Sequence, residues 1–599
     1  MKRRNKAFAK GLAMVLALTS LLGVVGCNNS TDNGTTTVIK VGNYGGGVGR
    51  KWLDEACARF QDLVKDTEYE TGKKGVSFEI TNTIGLTVDG MKTDAKNIFF
   101  TGGKSYTSYL TEIQKGSVLD ITDIVTQETL DAYGEEGVTI ESKLDQDYSS
   151  SLKGNDGKYY MLPNYQYIAS VSYDVDLFEE YGLYLADGNG AESGAEEFSC
   201  PLLNDEKYYF VGDGYTTKSV GNDGIAGTDD DGLPTTLSEF VAQCAYIKSK
   251  NIYPFGVSGA HIDYSTYLIE SLWTALAGYE QRQAVVSHEV EDNTMEYVTG
   301  ELSEELWTGT GIKKPETEKV TGLNSKTAYK AIDQVSRYYA FAFIELAQKQ
   351  GWFYEKYKDG GYTHKDAMAS FLLNGTGSGT NKIPLIASHI EGSYWYNEAK
   401  NIHGLMDDYT TYTGKEVKNI AHWHMPTSYG NDKVTSEDNA REEAIMGQGG
   451  SYALINGNLT DRGGKEGIIR ACKDFLKFLS SEQELKNFTA STGCSKAMYD
   501  YEIDADVLSK LDPYQKTVMN LSANNRSVIQ YGNNPTFLSQ SNVLTYGISS
   551  VGYRPDPTGN SPLASLLTAI YKNGLTTYEC FRMTGYNAED WETNYYKAD

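Results

Sequence analysis

Positive charge is scarce in this 599-residue chain: 54 Lys and Arg stand against 80 Asp and Glu, a formal net charge of −26. A surface this acidic repels phosphate backbones, which excludes nucleic acid as a partner and disfavours anionic ligands. Cysteine is scarce as well, seven in all. Apart from Cys27 they are Cys57, Cys200, Cys244, Cys472, Cys494 and Cys580, too few in so long a chain to form a disulfide framework. No C-x-x-C pair exists, which argues against a thiolate metal site. Cys57, Cys244 and Cys472 fall on apolar faces of predicted helices (EACARF, FVAQCAYI, IIRACKDFL) and are expected to be buried free thiols. Also lacking are a repeat of 20–50 residues, which excludes solenoids and propellers, and any G-x-S-x-G, H-E-x-x-H or P-loop in a suitable context.

What is present begins at the N-terminus. Lys2, Arg3, Arg4, Lys6 and Lys10 form a basic head, an apolar run extends from about Leu12 to Val25, and Gly26-Cys27 follows. The run is short for a bilayer span and leads into polar chain, so residues 1–26 read as a secretory signal. Leu22-Gly23-Val24-Val25-Gly26-Cys27 resembles a bacterial lipobox, with Val24-Val25-Gly26 in place of the usual Leu-Ala-Gly-type run. That resemblance implies a lipid on Cys27, a new N-terminus there, and anchoring to the extracellular face of the cell membrane. Residues 27–37, rich in Asn, Ser, Thr and Gly, then read as a flexible tether. Loss of the basic head makes the processed chain more acidic still.

The length predicts roughly two to four domains. Val38–Gly42 alternates as a strand, and Trp52–Phe60 carries apolar residues at helical spacing. Val76–Ile80 and Asn97–Phe100 read as further strands, with a helix over Ser105–Gln114. Later, Leu237–Lys250, Ala328–Gln348 and Gly467–Leu479 read as helices, and Tyr253–Val257 and Ile383–Ala387 as strands. Such alternation predicts a mainly parallel α/β sheet.

The order of four segments resembles the extracellular solute-binding family of carbohydrate ABC importers, the maltose-binding-protein-like group. Asp94–Thr122 (FF-x₇-SYLTEIQKGSVLDIT) is similar to the family's strand, helix and Leu-Asp-Ile-Thr exit. Lys158–Pro163 followed by Val171–Phe178 is similar to its G-K-x-Y-x-x-P and Y-N-K-D-L-F hinge, with Asp174-Val175 where Asn-Lys is usual. Ala387–Trp395 resembles its M-x-x-x-G-x-W strand, and Phe475–Phe488 its late helix. The resemblance covers nearly the whole processed chain, with large insertions. It implies the α/β, periplasmic-binding-protein-like type II fold: two lobes joined by crossing hinge strands and closing on ligand. Mapped by order, lobe one is 38–168 with 455–535, and lobe two is 169–454 with 536–599. It further implies a carbohydrate ligand, importer transmembrane subunits as partners, a monomer, and no catalysis.

A neutral sugar offers an apolar face of ring C–H groups and an edge of hydroxyls, so aromatic platforms ringed by hydrogen-bonding side chains are expected. The chain has 45 Tyr and 7 Trp. Tyr44 and the glycines after it leave the first strand, where an open α/β sheet places its crevice; the glycine run is too loose for a dinucleotide fingerprint. Tyr165 and Tyr167 precede the hinge strand. Trp395 lies beside the family's stacking position and is the foremost candidate, with Tyr394 as its rival; Glu391, Trp423, Tyr452 and Asn456 follow.

Asn222–Gly232 places Asp223, Asp229 and Asp231 among glycines. The loop resembles the calcium loops of some larger oligosaccharide-binding members, although it departs from the EF-hand pattern; it reads equally as a structural Ca²⁺ site or as a solvated acidic turn. His422-Trp423-His424 lacks a third ligand and is not expected to hold metal. Two other functions fit the same composition: a surface-anchored glycoside hydrolase, needing two carboxylates astride a bond, and a receptor for another solute such as a peptide.

Overall fold

The computed structural model describes residues 34–592 apart from 84–87, 103–105, 150–151, 288–293, 325, 462–464, 531–564 and 586. The signal segment, Cys27 and most of the tether lie outside the described residues. Among the described residues no helix is long and apolar enough to cross a membrane.

Lobe one opens with β1 (Thr37–Asn43), α1 (Lys51–Leu63), β2 (Val76–Asn82), β3 (Ile98–Gly102) and α2 (Tyr106–Gln114). Alternation in β1 buries Ile39 and Val41. The helical spacing of Trp52, Leu53, Ala56, Cys57 and Phe60 puts all five on the buried face of α1, where the Trp52 ring meets Phe100 and Phe488 edge-on at 5.2 and 5.0 Å. β1 pairs in parallel with both β2 and β3.

The chain then runs through β4 (Leu162–Asp174), α3 (Leu237–Ser249), β5 (Tyr253–Gly256), α4 (Thr266–Ala277), α5 (Val335–Lys349), α6 (His364–Leu372), β6 (Ile386–Gly392) and β7 (Ile420–His422). It returns through β8 (Ile445–Ile455), α7 (Glu466–Leu479), α8 (Pro513–Asn524) and β9 (Ser527–Gln530). The nine strands form one sheet in the order β5-β6-β4-β8-β3-β1-β2, with β7 added on β4 and β9 on β8.

Two strands change partner part-way. β4 pairs with β8 up to Ile168 and with β6 from Ala169 onward. β8 pairs with β9 over Ile445–Gln448 and with β3 over Ser451–Ile455. These are the crossing strands. On the lobe-one side, β8 is inserted antiparallel between β3 and β4 in an otherwise parallel run. That order is the periplasmic-binding-protein-like type II fold.

Separate hydrophobic cores flank the crossing. One holds β1, α1, β3 and α7; the other is built on α3, α4 and α5 and includes Trp273, Trp352, Trp423 and Trp591. A third, at the hinge, gathers Ile168, Phe371, Trp395, Tyr396, Tyr514 and Val518. Tyr514 and Val518 belong to α8, so that helix packs on the hinge core. All six cysteines beyond Cys27 are buried free thiols.

Two predicted elements differ. The helix expected over 328–348 breaks at Gln334, which is extended (ψ 139°). Its side chain accepts from Trp273 Nε1 at 2.9 Å and donates to the Gln281 carbonyl at 2.6 Å, so a short 3₁₀ segment precedes α5. The strand expected from Ile383 begins at Ile386, because the Ile383 N–H is already engaged by the Thr376 carbonyl in a turn.

Candidate functional site

The loop after β1 is pinned from within. Asn43 Nδ2 donates to the carbonyls of Tyr44 and Gly49, at 2.9 and 3.1 Å, and the fold needs glycine at 47. Gly47 has φ +64°, and a Cβ there would stand 2.2 Å from the Tyr165 hydroxyl. This loop meets lobe two directly. The Gly47 N–H donates to Glu398 Oε1, and Asn397 Nδ2 donates to the Gly47 carbonyl at 2.9 Å. Glu398 is buried. Burial, reinforced by the charge of Glu391 and partly opposed by the Gly47 N–H, raises its carboxyl to about 8.

Behind that contact, tyrosines from both lobes and the crossing strands converge. Tyr165 and Tyr167 lie on β4 with ring centroids 6.2 Å apart. Tyr394, just past β6, meets Tyr167 edge-on at 4.9 Å, and Tyr267 of α4 meets it at 6.2 Å. The Tyr267 and Tyr394 hydroxyls are 3.2 Å apart, and the Tyr167 hydroxyl donates to Gln448 Oε1 at 2.7 Å. Gly392 lets the rings approach, since a Cβ there would lie 2.5 Å from Tyr394 and 2.9 Å from Tyr167. Tyr264 adds its ring 5.7 Å from Tyr267, with His261 stacked on it at 5.1 Å. Tyr44, at 36% exposure, stands at the rim. Burial pushes every one of these phenols up, Tyr167 to about 12, so they stay neutral and can both donate and accept.

The structure therefore brings together Tyr44, Tyr165, Tyr167 and Tyr394, with Tyr452 buried alongside in β8. It places the other candidates elsewhere. Trp395, the foremost expectation, is 0% exposed in the hinge core: its indole N–H donates to Ser172 Oγ at 2.8 Å, and its faces are covered by His389, Phe371 and Tyr514. Of the adjacent pair, Tyr394 faces the cluster and Trp395 turns away. Trp423 is core in lobe two, against Phe178 and Phe240 at 5.3 and 5.5 Å. Glu391 is fully buried on β6, 3.1 Å from His389 Nε2, and burial raises its carboxyl well above the usual range. Asn456 is a strut whose Nδ2 caps the carbonyls of Met91, Asp94 and Lys96.

Sequence reasoning missed Glu398, Asn397, Tyr264, Tyr267 and Gln448. Tyr264 and Tyr267 carried a usable signal, being three apart at a helix entry and so on one face.

The acidic loop is organised by its own backbone. Asp223 Oδ1 accepts from Ile225 N at 2.8 Å, and Asp231 Oδ2 from Gly227 N at 2.6 Å. Asp229 Oδ2 accepts from Asn520 at 3.2 Å, while the buried Asp230 caps Asn222 N and Asp223 N. Among the described residues, no three of these carboxylates bring ligand atoms within 4.8 Å of one another. Burial raises Asp223 and Asp231, only partly offset by those N–H donors. His422 and His424 are 5.5 Å apart, and His424 Nδ1 is bound to Glu443 at 2.6 Å.

No protein-family model matches the chain, and no curated protein matches it in sequence. Among solved structures it is similar to a chitin oligosaccharide binding protein, at 15% identity over 92% of this chain and 98% of that one, with a TM-score of 0.49. Maltose-bound MalE3 of T. maritima is 14% identical over 93% and 99%, with a TM-score of 0.48. Apo RafE from Streptococcus pneumoniae is 12% identical over 86% and 93%, with a TM-score of 0.46. The fold of the present chain rests on its own strand order.

Proposed function

We propose that the chain is a solute-binding protein that captures a neutral oligosaccharide between its lobes and delivers it to an ABC importer. The observation that carries this reading is the tyrosine cluster across the crossing strands, closed over by Gly47 of one lobe and Glu398 of the other. Neutral phenols supply ring faces for sugar C–H groups and hydroxyls for sugar O–H groups, with no fixed charge to select an ion. The order of sequence motifs supports the importer partnership, and the lipobox-like segment supports a lipid on Cys27 that holds the protein at the extracellular membrane face. The carboxylates of Asp223, Asp229 and Asp231 among glycines support a structural Ca²⁺ role for the acidic loop.

A hydrolase would need two carboxylates at a glycosidic bond. Two carboxylates beside the tyrosines are Glu391, sealed against His389, and Glu398, engaged by Gly47. Binding without turnover is the reading we adopt. The test is a panel of neutral oligosaccharides incubated with the processed chain and followed by both thermal shift and chromatography. The expected result is a shift with intact sugar recovered; released products would replace the receptor by the hydrolase. Replacing Cys27 by Ser is expected to release the protein from the membrane fraction, and retention there would remove the anchor.

A further inference from the structure

We infer that His364, Glu398 and His403 form a binding site for one divalent transition-metal ion of the zinc class, beside the junction of the lobes. Histidine is rare here, seven in 599 residues, yet three converge. The His364 ring lies 5.5 Å from His403 and 5.4 Å from His261. One ligand atom from each of His364, Glu398 and His403 lies within 4.8 Å of the other two. Zinc takes imidazole nitrogen and carboxylate oxygen at about 2.0–2.2 Å, which puts neighbouring ligand atoms roughly 3.3–3.6 Å apart. Side-chain rotations of about 1 Å therefore close the set without moving the backbone.

The local backbone is shaped for this. His364 is the first residue of α6, fixed there by a capping box between Thr363 and Asp366. Glu398 and His403 bracket a single π turn, Glu398–Ile402, closed by the His403 N–H on the Glu398 carbonyl at 2.9 Å. In an α-helix, residues five apart point about 140° away from each other. The wider i→i+5 turn brings them back to one side, and single π turns of this kind recur at functional sites. His364 Nδ1 is buried and has no hydrogen-bond partner, an unfilled acceptor or donor position on one of the three residues.

Two imidazoles and one carboxylate are three protein ligands, which leaves zinc a position for water or another oxygen ligand. His364 and His403 are partly exposed, so an ion can enter from solvent. Because Glu398 also receives the Gly47 N–H, the ion shares a residue with the contact between the lobes. The site does not depend on which solute the tyrosines hold, and it is tested without any sugar.

The experiment uses the full processed chain, stripped by a chelator and titrated calorimetrically with Zn²⁺ alone. One ion per chain is expected. Glu398→Gln and His403→Gln, each close to isosteric, are expected to weaken it by roughly 100-fold, since even outer-shell substitutions cost about 10–100-fold. His424→Gln is expected to leave it unchanged. Each variant is first melted without metal, and one that does not melt cooperatively is replaced by His364→Gln. No stoichiometric zinc binding by the parent chain at micromolar concentration overturns the site. So does undiminished binding by any folded variant of the three ligands.

Discussion

Gly47 and Glu398, 351 residues apart in sequence, are joined backbone to side chain across the two lobes, and the adjacent Asn397 returns a bond to the same glycine. A loop that leaves the first strand is thereby clamped to a turn that follows the sixth. Closure over the tyrosines is thus written into a peptide unit that tolerates no side chain.

Gly47→Ala is expected to impair closure. A Cβ would enter the space of the Tyr165 hydroxyl, and a left-handed non-glycine residue costs about 1–2 kcal/mol. Ligand affinity should fall by about ten-fold or more, as 1.4 kcal/mol is a factor of ten. Small-angle scattering with ligand present should show a larger radius than for the parent chain. Equal affinity and equal radius would show that closure does not pass through this contact.

Tyr394 and Trp395 are neighbours with opposite duties, which substitutions should separate. Tyr394→Ala removes a ring from the cluster and should cost roughly 2 kcal/mol or more of binding, as anchoring aromatics do, with a smaller loss of stability than Trp395→Ala because its ring is less completely enclosed. Trp395→Ala empties the hinge core and removes the indole's hydrogen bond to Ser172 Oγ, and should cost about 3–5 kcal/mol of stability. Calorimetric titration and denaturant unfolding on both variants check the pair. The reverse pattern would restore Trp395 as the platform.

How far the site was legible in the sequence follows from this pair. Motif order implied the two lobes, and the strand order agrees with it, because alternation and helical spacing survive in β1 and α1. The first-strand loop and the two hinge tyrosines were also readable from position. Which of two adjacent aromatics faces the cleft was not, since it depends on where β6 ends and the chain turns, a tertiary matter. Glu398 was invisible for the same reason: its contact with Gly47 joins residues 351 apart in sequence. The acidic loop stayed ambiguous because carboxylates between glycines suit a cation and a backbone turn equally well; the turn's own N–H groups engage one oxygen each of Asp223, Asp230 and Asp231, while Asp231 Oδ1 is buried without a partner.

Lys496 gives a pH dependence of known sign. It is buried, donates to Asn164 Oδ1 at 2.7 Å and sits 4.4 Å from the Phe488 ring. Burial, only partly opposed by Glu484, lowers its ammonium to about 7. Between about 7 and the ordinary lysine value near 10.4 the unfolded chain binds a proton that the folded chain does not, so this residue's contribution to stability rises with pH there. Lys496→Met should remove that rise. Unfolding free energies at pH 7 and pH 9 for both chains check it; a parallel dependence in the two would show that Lys496 stays charged in the folded state.

The most direct measurement is equilibrium binding of neutral oligosaccharides, by titration calorimetry, to the processed chain and to a Tyr267→Ala/Tyr394→Ala variant shown to melt as the parent does. The account predicts a 1:1 complex with at least one such sugar and its loss in the variant. Binding that persists undiminished in the variant, or no neutral sugar bound by the parent chain, would contradict it.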